Sequence, residues 1–242
     1  MDNQKLYRII NRKSEETGIE VDTQVRDVSE RIRLTRFYSP IYDLVVPFWQ
    51  ETKVQLSTAV HLLFWIRRYR EQIESDMEHG NTFWVLPDEF NELQKRLSLQ
   101  RVYIYMNDYM TVLNSLHIDT SSEWRQYIWE YLWERERTIS YNTEPSRQTC
   151  LFAFDNLEDV YKYKRERDAE PTQKEETEIC EVQINDVYSL KKYDARWLDN
   201  LPETATYEMY LIAVKNYWRG KKTRQPMFEY ILHGKYVLKP IG

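Results

Sequence analysis

The chain has 242 residues, of which 42% are hydrophobic and 14% aromatic; this excludes disorder throughout, because disordered chains are poor in aromatic residues. Its formal net charge of −5 excludes a global basic surface for nucleic acid but does not exclude a local basic cleft. With only 5 glycines and 8 prolines, the composition favours long helices over a turn-rich sandwich or barrel.

The N-terminal residues predict a strand, a loop and a short extended segment. Residues 6–10 are predicted to form the strand, and the polar residues 13–30 the loop. Residues 34–40 are expected to be extended and to end at Pro40, because the residue before a proline favours extended backbone.

A helical block is predicted over about residues 48–137. Apolar residues at steps of three and four predict one long helix over residues 56–69. Pro87 marks the start of another helix. Residues 102–116 are also predicted to be helical, although their first four residues suit a strand as well.

The last helix of the block begins at a capping box formed by Thr120 and Glu123. Trp129 and Trp133 lie off its main apolar stripe. They are therefore either exposed as a surface for a protein partner or part of the core, and both interpretations stay open.

From about residue 145 the pattern changes to strands separated by helices. A cap signature at Asp155 begins one helix, and residues 207–218 form a second, amphipathic helix that ends at Gly220. His233-Gly234 is expected to join the last two strands. The predicted strands are residues 149–154, 178–184, 227–232 and 235–238.

Together these elements predict a single α+β domain over residues 1–242. Its strands come from about residues 1–40 and 145–242, and the helical block is a large insertion between them.

The cysteines, histidines and apolar runs further restrict the class of protein, because they bear on disulfides, metal sites and membrane segments. Cys150 and Cys180 are expected to be buried apolar residues rather than a disulfide or a metal site. The four histidines are too scattered to predict a metal site. Residues 59–66, the longest apolar run, are too short to cross a membrane, and the polar first residues do not resemble a signal peptide. A cytoplasmic protein without membrane contact is expected.

Glu229 is the most informative candidate, because it stands in the apolar segment 226–234. Alternate side chains of a strand face opposite ways, so Glu229 and Ile231 share one face while Phe228 and Tyr230 share the other. A carboxylate in such a strand lies either at a solvated edge or where chemistry needs it.

Two further positions suit a polar ligand. Arg8, on the first predicted strand, has a planar guanidinium that suits phosphate or carboxylate. Ser146 and Arg147 place a hydroxyl and a guanidinium at the entrance of a strand. Taken singly, each position is also explained by solvent exposure or turn chemistry.

In combination, a basic residue on the first strand, a hydroxyl residue entering a middle strand and a glutamate on a late strand resemble the ADP-ribosyltransferase superfamily. Residues 145–158 and 180–184 resemble the strand-helix-strand middle of these folds, and residues 216–220 and 227–234 are similar to an uncharacterised bacterial family associated with that superfamily. The resemblance does not cover the helical block. It implies a split mixed or antiparallel β-sheet that binds NAD in its cleft.

The resemblance also implies an activity: transfer of ADP-ribose from NAD, its substrate, to an unknown protein or nucleic-acid acceptor, as in a toxin or conflict-system effector. Arg8, Ser146 and Arg147 would contact NAD, and Glu229 would accept a hydrogen bond from the nicotinamide ribose. Met227 departs from the Glu or Gln that arginine-modifying members carry two residues before the catalytic Glu, which argues against an arginine acceptor.

Other activities stay open on the same residues. An NAD glycohydrolase would need the same site without a macromolecular acceptor. A non-catalytic nucleotide-binding or partner-binding protein could keep the fold, and an interaction protein could carry Arg8, Ser146 and Glu229 as unrelated surface residues.

Overall fold

The computed structural model describes residues 5–11, 17–25, 30–81, 95–117, 127–168, 177–202 and 204–241. These residues combine helices with an antiparallel sheet, which confirms the α+β class. They divide into two compact units. One unit carries the sheet and comprises Met1–Ser29, Glu134–Asn200 and Val214–Gly242; the other is helical and comprises Glu30–Trp133 and Leu201–Ala213. A single domain stays a prediction.

Five strands and nine helices are found within the described ranges. The strands are β1 (Leu6–Asn11), β2 (Glu20–Asp22), β3 (Leu151–Ala153), β4 (Thr177–Asp194) and β5 (Phe228–Pro240). The helices are α1 (Glu30–Phe37), α2 (Ser39–Thr52), α3 (Leu56–Arg68), α4 (Arg70–Glu78), α5 (Leu99–Leu116), α6 (Ile128–Ser140), α7 (Leu157–Asp168), α8 (Arg196–Asp199) and α9 (Tyr207–Trp218).

The sheet is organised around β5, which pairs antiparallel with three strands. β4 lies along one side of β5 and carries β1 on its own far side, while β2 and β3 pair with the other side of β5. Tyr7 of β1 and Phe154, directly after β3, exchange two backbone hydrogen bonds of 2.7 Å. The sheet therefore curls until β3 meets β1.

The inner face of this curled sheet is apolar. Ten of its residues form one cluster, and none of them is more than 6% exposed. Burial of such apolar surface is the main stabilising contribution to a fold. The cluster comprises Leu6, Ile10, Leu151, Ala153, Cys180, Val182, Tyr230, Leu232, Tyr236 and Leu238. The opposite side of the same strands is called the outer face below.

The helical unit is built around aromatic side chains. Trp49 of α2 packs against Tyr210 of α9, with ring centroids 5.8 Å apart. Trp133 is fully buried and makes an edge contact with Tyr210 at 5.9 Å. Trp133 therefore belongs to the core, and of the two open interpretations the exposed one is excluded for it.

Several sequence predictions are confirmed by the described helices. The helices expected over residues 56–69, 102–116 and 207–218 are α3, α5 and α9. The helix expected at Pro87 and the capping box at Thr120 lie outside the described residues. Both cysteines carry free thiols. None of the described helices is long and apolar enough to cross a membrane.

The prediction of an extended segment at residues 34–40 is wrong, because all of these residues except Tyr38 belong to α1 or α2. Pro40 lies in the first turn of α2. Proline is tolerated there, since the first N–H groups of a helix have no intrahelical acceptor. The pre-proline preference of Ser39 is outweighed by the packing of α2, whose Ile41 and Tyr42 are fully buried.

The prediction of two separate final strands is also wrong, because β5 runs unbroken through His233-Gly234. A β carbon on Gly234 would stand 2.1 Å from the carbonyl oxygen of Asp186. β4 shifts register on both sides of this contact. Glycine is therefore required by the close approach of a bulged neighbouring strand and not by a turn.

Candidate functional site

Glu229 lies on the outer face near the start of β5. Its neighbours Tyr230 and Leu232 face inward, so Glu229 and its β4 partner Tyr193 face outward, as the sequence pattern predicts. Only 6% of the Glu229 surface is exposed. This burial excludes the alternative of a carboxylate at a solvated sheet edge.

Two donors hold the Glu229 carboxylate. Arg147 Nη1 donates a hydrogen bond to Oε1 over 2.5 Å, and the Tyr217 hydroxyl donates to the same oxygen over 2.6 Å. Arg147 also donates to the Tyr217 hydroxyl. Hydrogen bonds between ionised partners are stronger than neutral ones. These three residues, called the Glu229 cluster below, therefore fix the carboxylate in one orientation.

The second oxygen of this carboxylate is in a different state. Oε2 accepts no hydrogen bond from the described residues, since both bonds end on Oε1. Some polar side-chain atoms of the described residues are fully buried and have no hydrogen-bond partner, and Oε2 is not one of them. Oε2 is therefore not completely sealed from solvent, although only 8% of the Glu229 side chain is exposed.

Aromatic rings surround the Glu229 cluster. The Tyr193 ring stacks on Tyr217 with centroids 4.7 Å apart, and the Arg147 guanidinium lies 4.4 Å from the centre of the Phe152 ring. Burial raises the pKa of Tyr217 well above its ordinary value. Tyr217 is therefore a neutral donor at physiological pH, beside an arginine that is always charged.

Ser146 is adjacent to Arg147 but points its hydroxyl elsewhere. Its Oγ donates to Glu134 Oε1 over 2.9 Å, and Arg137 Nη2 donates to the same oxygen over 2.8 Å. His233 Nε2 lies 3.1 Å from the Ser146 carbonyl oxygen. These contacts hold the loop before β3, so that Ser146 supports the position of Arg147.

Arg8 lies on the opposite face from Glu229. It stands between Leu6 and Ile10, both in the inner cluster, and alternate residues of a strand share a face. Its Nη1 donates to the carbonyl oxygen of Phe152 over 3.1 Å. The Arg8 guanidinium therefore links β1 to β3 beside the backbone pair that Tyr7 and Phe154 form.

The structure thus brings Arg147 and Glu229 into contact, places Ser146 beside them and does not bring Arg8 to them. No sequence motif marks Tyr217, Glu134 or His233 as site residues. Tyr217 lies within a helix that the sequence predicts, but no spacing distinguishes it from the other apolar-face residues of that helix. The contacts of all three depend on tertiary packing.

A family model described as "Protein of unknown function (DUF2441)" matches residues 58–240. The chain belongs to the DUF2441 family. No curated protein matches it. In this DUF2441 chain the matched residues include Ser146, Arg147 and Glu229, whereas Arg8 precedes them.

The chemistry of this DUF2441 site follows from its geometry. Oε1 of Glu229 is held by two donors, while Oε2 accepts no hydrogen bond from the described residues. A fixed carboxylate in a largely water-excluded position stabilises developing positive charge more strongly than the same group does in water. Its open oxygen also accepts a hydrogen bond from a hydroxyl group.

Proposed function

We propose that the chain is an ADP-ribosyltransferase that uses NAD as its substrate and Glu229 as the catalytic carboxylate. The observation that carries the proposal is the state of Glu229, which is buried and held through one oxygen while the other accepts no hydrogen bond from the described residues. The reaction class comes from two resemblances: residues 145–158 and 180–184 resemble the middle of ADP-ribosyltransferase folds, and residues 216–220 and 227–234 are similar to a family associated with that superfamily. Arg8 is left out of the proposed site because of its position on the inner face.

In the proposed reaction the bond between the nicotinamide nitrogen and the ribose C1′ breaks, and its electron pair leaves with nicotinamide. Positive charge develops on the ribose, as it does in glycoside hydrolysis. Glu229 stabilises this charge and accepts a hydrogen bond from the ribose 2′-hydroxyl. The acceptor nucleophile then bonds to C1′ and gives up its proton.

Arg147 and Tyr217 are positioning residues in this proposal. They orient Glu229 through Oε1 and keep Oε2 directed to the ligand. Met227, two residues earlier, is 2% exposed and packs in an apolar cluster. It offers no carboxylate or amide to orient an arginine side chain, which supports an acceptor other than arginine.

The test is release of nicotinamide from NAD by the purified chain, with and without cell extract as a source of acceptor. Wild-type protein should release nicotinamide, and Glu229→Gln should lower the rate by a factor on the order of 10² to 10³. Glu181→Gln makes the same chemical change on β4, at an exposed ion pair with Lys5, and should leave the rate unchanged. Circular dichroism of each variant establishes that it is folded.

The outcomes separate the activities. Release that depends on cell extract and labels a macromolecule supports transfer. Release without any labelled acceptor identifies an NAD glycohydrolase. Absence of release from the wild-type chain in both conditions overturns the proposal and leaves a non-catalytic member of the family.

A further inference from the structure

A second polar site lies in the sheet-carrying unit, and none of its lining residues belongs to the Glu229 cluster. It is a cavity of about 670 Å³ bounded by α7, α8 and the loop before β5. Cavities of a few hundred cubic ångströms hold small-molecule ligands in other proteins. The size therefore fits a compact metabolite.

The charge of the lining selects the kind of ligand. Lys162, Arg196 and Arg224 line the cavity, against a single carboxylate, Asp159. Arg196 has a carboxylate partner in Asp199, but at 3.5 Å. Two guanidinium groups and one ammonium group around one space are suited to bind phosphate oxygens.

The cavity walls are held by one buried carboxylate, Asp194, which is 1% exposed. Its Oδ1 accepts the backbone N–H groups of Arg196 and Met227 over 3.1 and 3.0 Å, and its Oδ2 accepts that of Thr223 over 2.6 Å. Asp194 thereby links α8 to both ends of the lining loop. The site is preorganised, which lowers the cost of ordering it around a ligand.

We propose that this cavity binds the phosphate or diphosphate group of a small phosphorylated metabolite through Lys162, Arg196 and Arg224. The inference does not rest on the proposed function. Its test measures binding alone, so the failure of either proposal leaves the other standing.

The experiment is isothermal titration calorimetry with inorganic pyrophosphate at low ionic strength. Wild-type protein should bind with one-to-one stoichiometry. The double variant Lys162→Ala/Arg224→Ala should bind at least about tenfold more weakly, since it loses two charged donors. The matched control is Arg219→Ala/Lys221→Ala, which removes two exposed charges from the same segment outside the lining.

The control should bind pyrophosphate as the wild type does. Equal weakening in both double variants would show unspecific attraction by the basic segment and would overturn the proposal. Absence of saturable binding to the wild-type chain at millimolar pyrophosphate would overturn it as well.

Discussion

Arg147 and Glu229 are 82 residues apart in the sequence and meet in an ion pair of 2.5 Å, with 7% and 8% of their side chains exposed. Removing two charges from water costs several kcal/mol per ion, and their attraction and hydrogen bonds must offset that cost. The pair therefore fixes the position of the loop before β3 relative to β5, whatever its net contribution to stability.

Breaking this pair on one side should destabilise the chain strongly. Arg147→Met keeps much of the side-chain volume but leaves Glu229 as an unpaired buried carboxylate, so the free energy of unfolding should fall by about 3–5 kcal/mol. Urea unfolding measures the change. The double variant Arg147→Met/Glu229→Leu should recover most of the loss, because two apolar groups need no charge partner. A small effect in the single variant would contradict a buried ion pair that depends on both charges.

Gly234 should tolerate a side chain less well than Gly220 does. Gly234→Ala forces the alanine methyl group against the backbone of Asp186, only 2.1 Å away, so β4 and β5 must separate locally. Gly220→Ala is the comparison, because its φ of +65° is strained for alanine but the space is open; that strain costs on the order of 1 kcal/mol. Thermal unfolding should show the larger loss for Gly234→Ala, and equal losses would contradict the close approach.

Asp194 should stabilise the chain through three backbone donors. Asp194→Ala leaves the N–H groups of Arg196, Thr223 and Met227 without their acceptor. Each buried donor without a partner costs about 1–3 kcal/mol, so a total loss of about 3 kcal/mol or more is expected. Hydrogen exchange at the Thr223 and Met227 amides should accelerate in the variant.

Asp199 provides the control for that experiment. Its carboxylate is partly exposed and contacts Arg196 at 3.5 Å. Asp199→Ala should cost less than about 1 kcal/mol and should leave exchange at Thr223 unchanged. Similar exchange in the two variants would contradict the role of Asp194 in holding the loop.

Asp155 should make the free energy of unfolding depend on pH under acidic conditions. Burial raises its pKa, but hydrogen bonds from Lys192 at 2.8 Å and Tyr230 at 2.9 Å outweigh burial and hold the pKa below its usual value. A lowered pKa in the folded state contributes stability above the unfolded pKa of about 3.9. That contribution is lost as the pH falls through the lower pKa that Asp155 has in the folded state.

Asp155→Asn should therefore be less stable than the wild type at neutral pH, and the difference should shrink below about pH 3.9. Urea unfolding at several pH values measures it. Glu158→Gln alters an exposed carboxylate on α7 and should change the free energy of unfolding little. A difference for Asp155→Asn that stays constant down to low pH would contradict the assigned cause.

Local patterns predict the elements whose signals are complete within a short segment. Residues 207–218 repeat their apolar residues with the period of a helix and stop before Gly220, whose φ of +65° suits a helix end. Residues 178–184 alternate and form part of β4. In both cases the physics that decides the structure acts between near neighbours.

Other features depend on partners that the sequence does not reveal. β4 continues to Asp194 through residues that are largely exposed, because β5 pairs with it along that length. Arg147 stands in a turn, where solvent exposure is the ordinary expectation, and is buried only because β5 and α9 supply Glu229 and Tyr217. These pairings arise from tertiary packing and leave no local signal.

The central position of β5 has a consequence for synthesis. β5 follows all the strands that pair with it, so a ribosome releases β2, β3 and β4 before their common partner exists. Until then their edges are unpaired and prone to join other chains. We expect the yield of native protein in a cell to depend on how quickly residues 228–240 emerge from the ribosome. We also expect it to depend on chaperones that bind β2, β3 and β4 before they pair with β5.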